Sequence, residues 1–129
     1  MVGRDLTNRF PPKDNKPGDV ILEVDHLSSE YSNLKDVSFK IRQGEIVGIA
    51  GLAGSGRTEV LDNIFGISAR KGGIIKLHGK EVSNKNPADA IRNGFALLTE
   101  ERRANGIFGI LDITDNTIIS SLKKYMVNL

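Results

Sequence analysis

The 129-residue chain contains no cysteine. It can therefore form no disulfide and no thiolate nucleophile, and it suits a reducing compartment. Histidine is scarce as well. His26 and His78 stand apart, with no acidic or cysteine neighbours at metal-ligand spacing, and read as ordinary surface or turn residues. No run of lysine and arginine exceeds two residues, and the formal charge is only +2 with a pI near 9.0. That balance is too mild to point to nucleic acid. No apolar stretch is long enough to span a membrane, and the N-terminus carries no hydrophobic signal region, so a soluble, cytoplasmic-type domain is expected. The length suffices for one domain with a real core.

What is present begins with punctuation. Residues 1–19 are polar, carry charges of both signs and hold Pro11, Pro12, Pro17 and Gly18, a linker composition. Val20 to Val24 alternates loosely as a strand, and Val37 to Arg42 alternates cleanly, apolar then polar, as in a half-buried antiparallel strand. Gln43-Gly44 makes a turn into Glu45 to Ala50, a nearly continuous apolar run expected to be a parallel strand buried on both faces. Gly73 to Leu77 and Lys80 to Val82 read as strands joined at His78-Gly79. Asn86 and Pro87 open a short helix that Gly94 stops. Phe95 to Leu98 is expected to be a second buried strand. A helix from Thr114 or Asp115 places Ile118, Ile119, Leu122 and Tyr125 on one side.

The chemistry concentrates between Gly51 and Thr58, Gly-Leu-Ala-Gly-Ser-Gly-Arg-Thr. Gly51, Gly56 and Thr58 fit the phosphate-binding pattern G-x-x-x-x-G-K-[ST], but Arg57 stands where lysine is expected. Such a loop needs glycine because backbone N–H groups must wrap a phosphate closely, with no Cβ in the way. It also needs a strand before it and a helix after it, so that the phosphate meets a helix N-terminus. Val60, Leu61, Ile64 and Phe65 supply one apolar helical face, and Gly66 is placed to end that helix. Arg57 keeps the charge, but its planar fork is larger than an ammonium, so nucleotide binding is expected and efficient hydrolysis is not. The bland alternative is a Gly-rich turn that binds nothing. A later apolar strand ending in aspartate, which P-loop ATPases use to hold Mg²⁺, is not found after Leu98.

These residues resemble a known family. Ile21 to Leu27, Leu34 to Phe39 and Gly44 to Ile49, with their spacing to Gly51, are similar to the opening of an ATP-binding-cassette nucleotide-binding domain. Leu98 to Arg103 stands where that family has its glutamine loop, and Leu111 to Asn116 resembles the L-T-V-x-E-N segment after it. The resemblance covers Val20 to about Leu122. Arg57 and Glu100, in place of lysine and glutamine, resemble the second of two fused cassettes in bacterial monosaccharide importers, those for galactosides above all. Met1 to Arg4 with Arg9-Phe10-Pro11 looks like the segment joining the two.

The implied fold is α/β: a partial P-loop NTPase with a β-rich antiparallel layer and an incomplete parallel core sheet. Residues 1–19 would be the linker from the preceding cassette. Residues 20–129 would be the first part of a domain whose signature motif, Walker B strand and switch histidine lie further on. The implied ligands are ATP and Mg²⁺, held by Gly51, Gly54, Ser55, Gly56, Arg57 and Thr58. Thr58 and Glu100 would act on the metal, since hard cations prefer oxygen donors. Tyr31 is a candidate to stack on adenine, with a packing role as the alternative. Implied partners are the other cassette, a membrane permease meeting residues near 101–118, and, indirectly, a periplasmic sugar-binding protein. Arg102-Arg103 would dock there or pair internally, with a solvated loop as the alternative. The implied location is the cytoplasmic face of the inner membrane. Two functional readings remain: a degenerate ATPase site, inactive in this chain alone, or a docking and dimerisation module that no longer holds nucleotide. A P-loop kinase or GTPase fits less well, because no Asn-Lys-x-Asp segment is present.

Overall fold

The computed structural model describes residue 12 and residues 14–124. Most of the expected linker and Tyr125 of the expected last helix lie outside the described residues. The chain forms two compact units that divide between Ala96 and Leu97.

The first unit is organised by an antiparallel sheet of four strands in the order β2-β1-β3-β4: β1 Val20–Ser29, β2 Val37–Arg42, β3 Arg70–Leu77 and β4 Lys80–Glu81. Alternation sets the faces. Leu22 and Val24 lie opposite Leu77 and Ile75, while Glu23 between them meets Lys40 on one neighbouring strand and Lys76 on the other. The Lys40 ammonium, 2.6 Å away, holds the Glu23 carboxyl below its usual range. β1 runs five residues past the expected stop at Val24, because a bulge changes its parity. His26 takes a left-handed φ of 50°, the register slips between Val24 and Leu27, and the buried positions move from Val24 to Leu27 and Ser29. Gly73, φ 101°, accepts the bulge: a Cβ there would lie 2.7 Å from the Leu27 Cα and 2.8 Å from the Asp25 and His26 carbonyl oxygens. His78 and Gly79, both left-handed, make the two-residue turn between β3 and β4.

Helix α1, Arg57–Phe65, packs Val60 and Ile64 against Val24, Leu27, Leu34 and Ile75 to form the core. Gly66, φ 78°, ends it as expected, and the Gly66, Ile67 and Ser68 N–H groups all reach the Asp62 carbonyl. Helix α2, Pro87–Arg92, begins as expected with the Asn86 side chain accepting from the Asp89 N–H.

The expected parallel strands are not formed. Residues 45–50 and 95–98 belong to no strand, and Ile46 and Leu98 are each 90% exposed. No parallel pair occurs among the described residues, whose strands all sit in the antiparallel sheet. An apolar run states what must be buried, but a strand also needs a neighbour to complete its hydrogen bonds, and here none is beside it.

In the second unit, residues 102–106 form a single π-helical turn. Helix α3, Ile113–Ile118, starts before Thr114 because Asp112 caps it, accepting from the Asp115 N–H at 2.8 Å. It tightens into a 3₁₀ turn over Ile119–Lys124. The Asn116 side chain accepts from the Phe108 N–H and donates to the Phe108 and Leu111 carbonyls, closing the preceding loop.

Candidate phosphate-binding loop

The Glu45 carboxylate accepts from the Arg42 N–H at 2.7 Å and the Glu45 N–H donates back, fixing the turn at left-handed Gly44 that leads toward the glycine loop. Within the loop, Gly54 and Gly56 adopt φ of 77° and 94°, a region that costs other L-residues roughly 1–2 kcal/mol. At Gly51 the Ser55 hydroxyl folds over the position a Cβ would take, so a side chain there would have to turn that hydroxyl away. The Ser55 N–H donates to the Leu52 carbonyl, closing the loop on itself.

Gly56 is also the N-cap of α1 and offers no side chain to that helix end. The first-turn N–H groups and the helix dipole thus face the loop with no side chain on the N-cap residue, an arrangement suited to an anion. Arg57 and Thr58 are the first two residues of α1 and both are exposed. The structure therefore brings together Gly51, Gly54, Ser55, Gly56, Arg57 and Thr58.

A cavity of about 250 Å³ adjoins the loop, between Gly54–Gly56 and the connection from β1 to β2. Ser32, Asn33, Leu34 and Glu59 line it, four residues that the motif alone did not single out. The Leu34 methyl lies 3.7 Å from the Gly56 Cβ position, so the core reaches the loop through this side chain. Glu59 stands in the first turn of α1 and, with burial as the larger cause, helps push the Asp62 carboxyl above its usual range. Tyr31 precedes this wall and is 84% exposed. A ring that contacts little core is available for stacking. Glu100 lies in the second unit and is exposed. That unit also exposes Ile107, Phe108, Ile110 and Ile113. Among the described residues no group of acidic, histidine or cysteine side chains could by itself hold a metal ion. Thr58 and any acidic partner would therefore depend on phosphate oxygens to complete a Mg²⁺ shell.

Residues 34–126 match the family model described as ABC transporter. The chain belongs to the ABC transporter family. With the family comes the P-loop NTPase fold, of which this antiparallel layer, glycine loop and α1 are parts. Curated relatives match along nearly the whole chain. The galactose/methyl galactoside import ATP-binding protein MglA of Mannheimia succiniciproducens is 54% identical over 98% of the chain. Those of Fusobacterium nucleatum and Pasteurella multocida are 57% and 52% identical over 97% and 100%. The chain spans about a quarter of the length of these relatives. No helix among the described residues is long and apolar enough to cross a membrane.

Proposed function

We propose that this chain is the phosphate-binding part of the second cassette of a sugar importer ATPase, with galactose and methyl galactosides as the imported class. The observation that carries the reading is the loop itself. Two left-handed glycines and the Gly51–Ser55 contact lead into an uncapped helix whose first residues are Arg57 and Thr58. The relatives' printed names, at 52–57% identity, support the substrate class.

In this reading the backbone of Gly54, Ser55 and Gly56 cradles the phosphates of ATP, and Arg57 reaches their outer oxygens as a charged donor. Thr58 and Glu100 act on Mg²⁺, and Tyr31 stacks on adenine. Glu100 supplies an oxygen ligand but brings a negative charge to the triphosphate and lacks an amide donor. Both changes, with Arg57, oppose turnover. In the whole protein, ATP closure would drive a two-state change in the permease, contacted near 101–118 at the cytoplasmic face of the inner membrane. The other cassette would complete the site, and a periplasmic sugar-binding protein would deliver the sugar. Residues 45–50 and 95–98 would become strands of the parallel core once flanked by further chain.

The second reading, a docking module without nucleotide, draws on one observation: Ile110 and Ile113 of the segment near 101–118 are 96% and 86% exposed. Hydrolysis separates degenerate from active sites. Purified chain with Mg·ATP is expected to release no phosphate above background. Robust release that Arg57→Ala abolishes would sink the proposal of a degenerate site.

A further inference from the structure

A second cavity, of about 380 Å³, lies on the first unit between the α1–β3 connection and the segment after β4. Ser68, Arg70, Lys71 and Gly72 line one side and Ser83 and Lys85 the other. The lining includes no carboxylate, and that of nearby Asp89 accepts from the Lys85 N–H at 3.1 Å and also pairs with Arg92. Among the described residues, the ion pairs join Glu23 with Lys40 and Lys76, His26 with Asp36, and Asp89 with Arg92. Arg70, Lys71 and Lys85 enter none of them. Three basic residues around one concavity bias its field toward an anion.

The walls of this cavity are fixed. A Cβ on Gly66 would lie 2.7 Å from the Asn84 carbonyl oxygen and 2.9 Å from the Asn86 nitrogen, so the two segments touch through backbone. Asn84 is 4% exposed, donates to the Ile64 carbonyl at 2.7 Å and accepts from the Asn93 amide at 2.8 Å. On the other side, Arg70 is held in the ladder opposite Ser29, and the Ala69 carbonyl accepts from the Glu30 N–H. Arg70 and Lys85 therefore project from backbone that does not have to be ordered by a ligand. Gly72 has no atom within 4 Å of its Cβ position, leaving an open approach to backbone.

We propose that this cavity is a second anion site, separate in sequence from the glycine loop, that takes the phosphate group of a small phosphate ester. An arginine fork pairs with phosphate oxygens two at a time, and the lysines and the Ser68 and Ser83 hydroxyls supply further donors. The volume exceeds that of a bare phosphate and falls in the range of small-molecule pockets.

The test is amide NMR of the whole chain, titrated with inorganic phosphate and, separately, with glycerol 3-phosphate. Sodium chloride matches ionic strength throughout. The signals of Lys71, Gly72 and Lys85 are expected to shift saturably with both, and at lower concentration with the ester. Arg70→Gln with Lys85→Gln is expected to raise the dissociation constant by at least about tenfold, the loss of charge-assisted bonds. Signals of Gly54 and Gly56 should respond to phosphate in the double variant as in the parent, which separates this site from the glycine loop and reports that the variant is folded. No saturable shift, a shift that sodium chloride reproduces, or an unchanged constant in the double variant would overturn the proposal. Saturation by phosphate with no gain from the ester would reduce the site to an inorganic-phosphate site and overturn the ester assignment.

Discussion

Gly66 shows how much one residue without a side chain can carry. It ends α1 in a left-handed conformation and lies in contact with the Asn84 and Asn86 backbone. Gly66→Ala must strain φ and displace backbone at once, so a loss of about 2–3 kcal/mol is expected, read as a lower denaturant midpoint at unchanged slope. A change below about 0.5 kcal/mol would show that the contact relaxes freely. At this scale the sequence was informative for the loop glycines and for Gly66, because a positive φ or a phosphate pattern has a residue signature. It is silent on Asn33, whose place beside the loop depends on how β1 and β2 are joined. Tyr31 lay between: its position was legible, its exposure was not.

Elements were legible where their signals are local. The alternation of Val37 to Arg42, the His78-Gly79 turn and the Asn86 cap all formed as read. β1 was read too short because its alternation breaks at His26, and a break in period looks like an end until the bulge is seen. That bulge has a testable electrostatic anchor. His26 Nδ1 lies 2.5 Å from an Asp36 carboxylate oxygen, and the hydrogen bond, with the Asp36 charge and that of Asp25, holds the imidazole pKa above its ordinary 6.5. Asp36 opens the return to β2, its N–H donating to the Ser28 hydroxyl. Because the folded value is the higher one, this contribution to stability is fully present below pH 6.5 and is lost as pH rises through the folded value. Proton NMR of the His26 ring should give a midpoint above 6.5 that falls toward it in Asp36→Asn. An identical midpoint in both proteins would remove Asp36 as the cause.

Across the whole molecule, the antiparallel layer was legible and the parallel core was not realised. The same apolar residues explain both. Ile46, Val47 and Ile49 were read as buried because their composition calls for burial, yet all are exposed where no strand lies beside them. Hydrophobic pattern encodes demand for a partner, and long-range neighbours decide whether the demand is met. The chain matches its relatives over nearly its full length while spanning about a quarter of theirs.

Calorimetric titration of Mg·ATP into the chain and into Arg57→Ala decides whether the altered loop still holds nucleotide. Circular dichroism first establishes that both are folded. Saturable heat is expected from the parent chain, with an affinity at least about tenfold weaker in the variant, the loss of a charge-assisted contact to phosphate. No heat from the folded parent, or equal affinity in the two proteins, would contradict nucleotide binding by this loop.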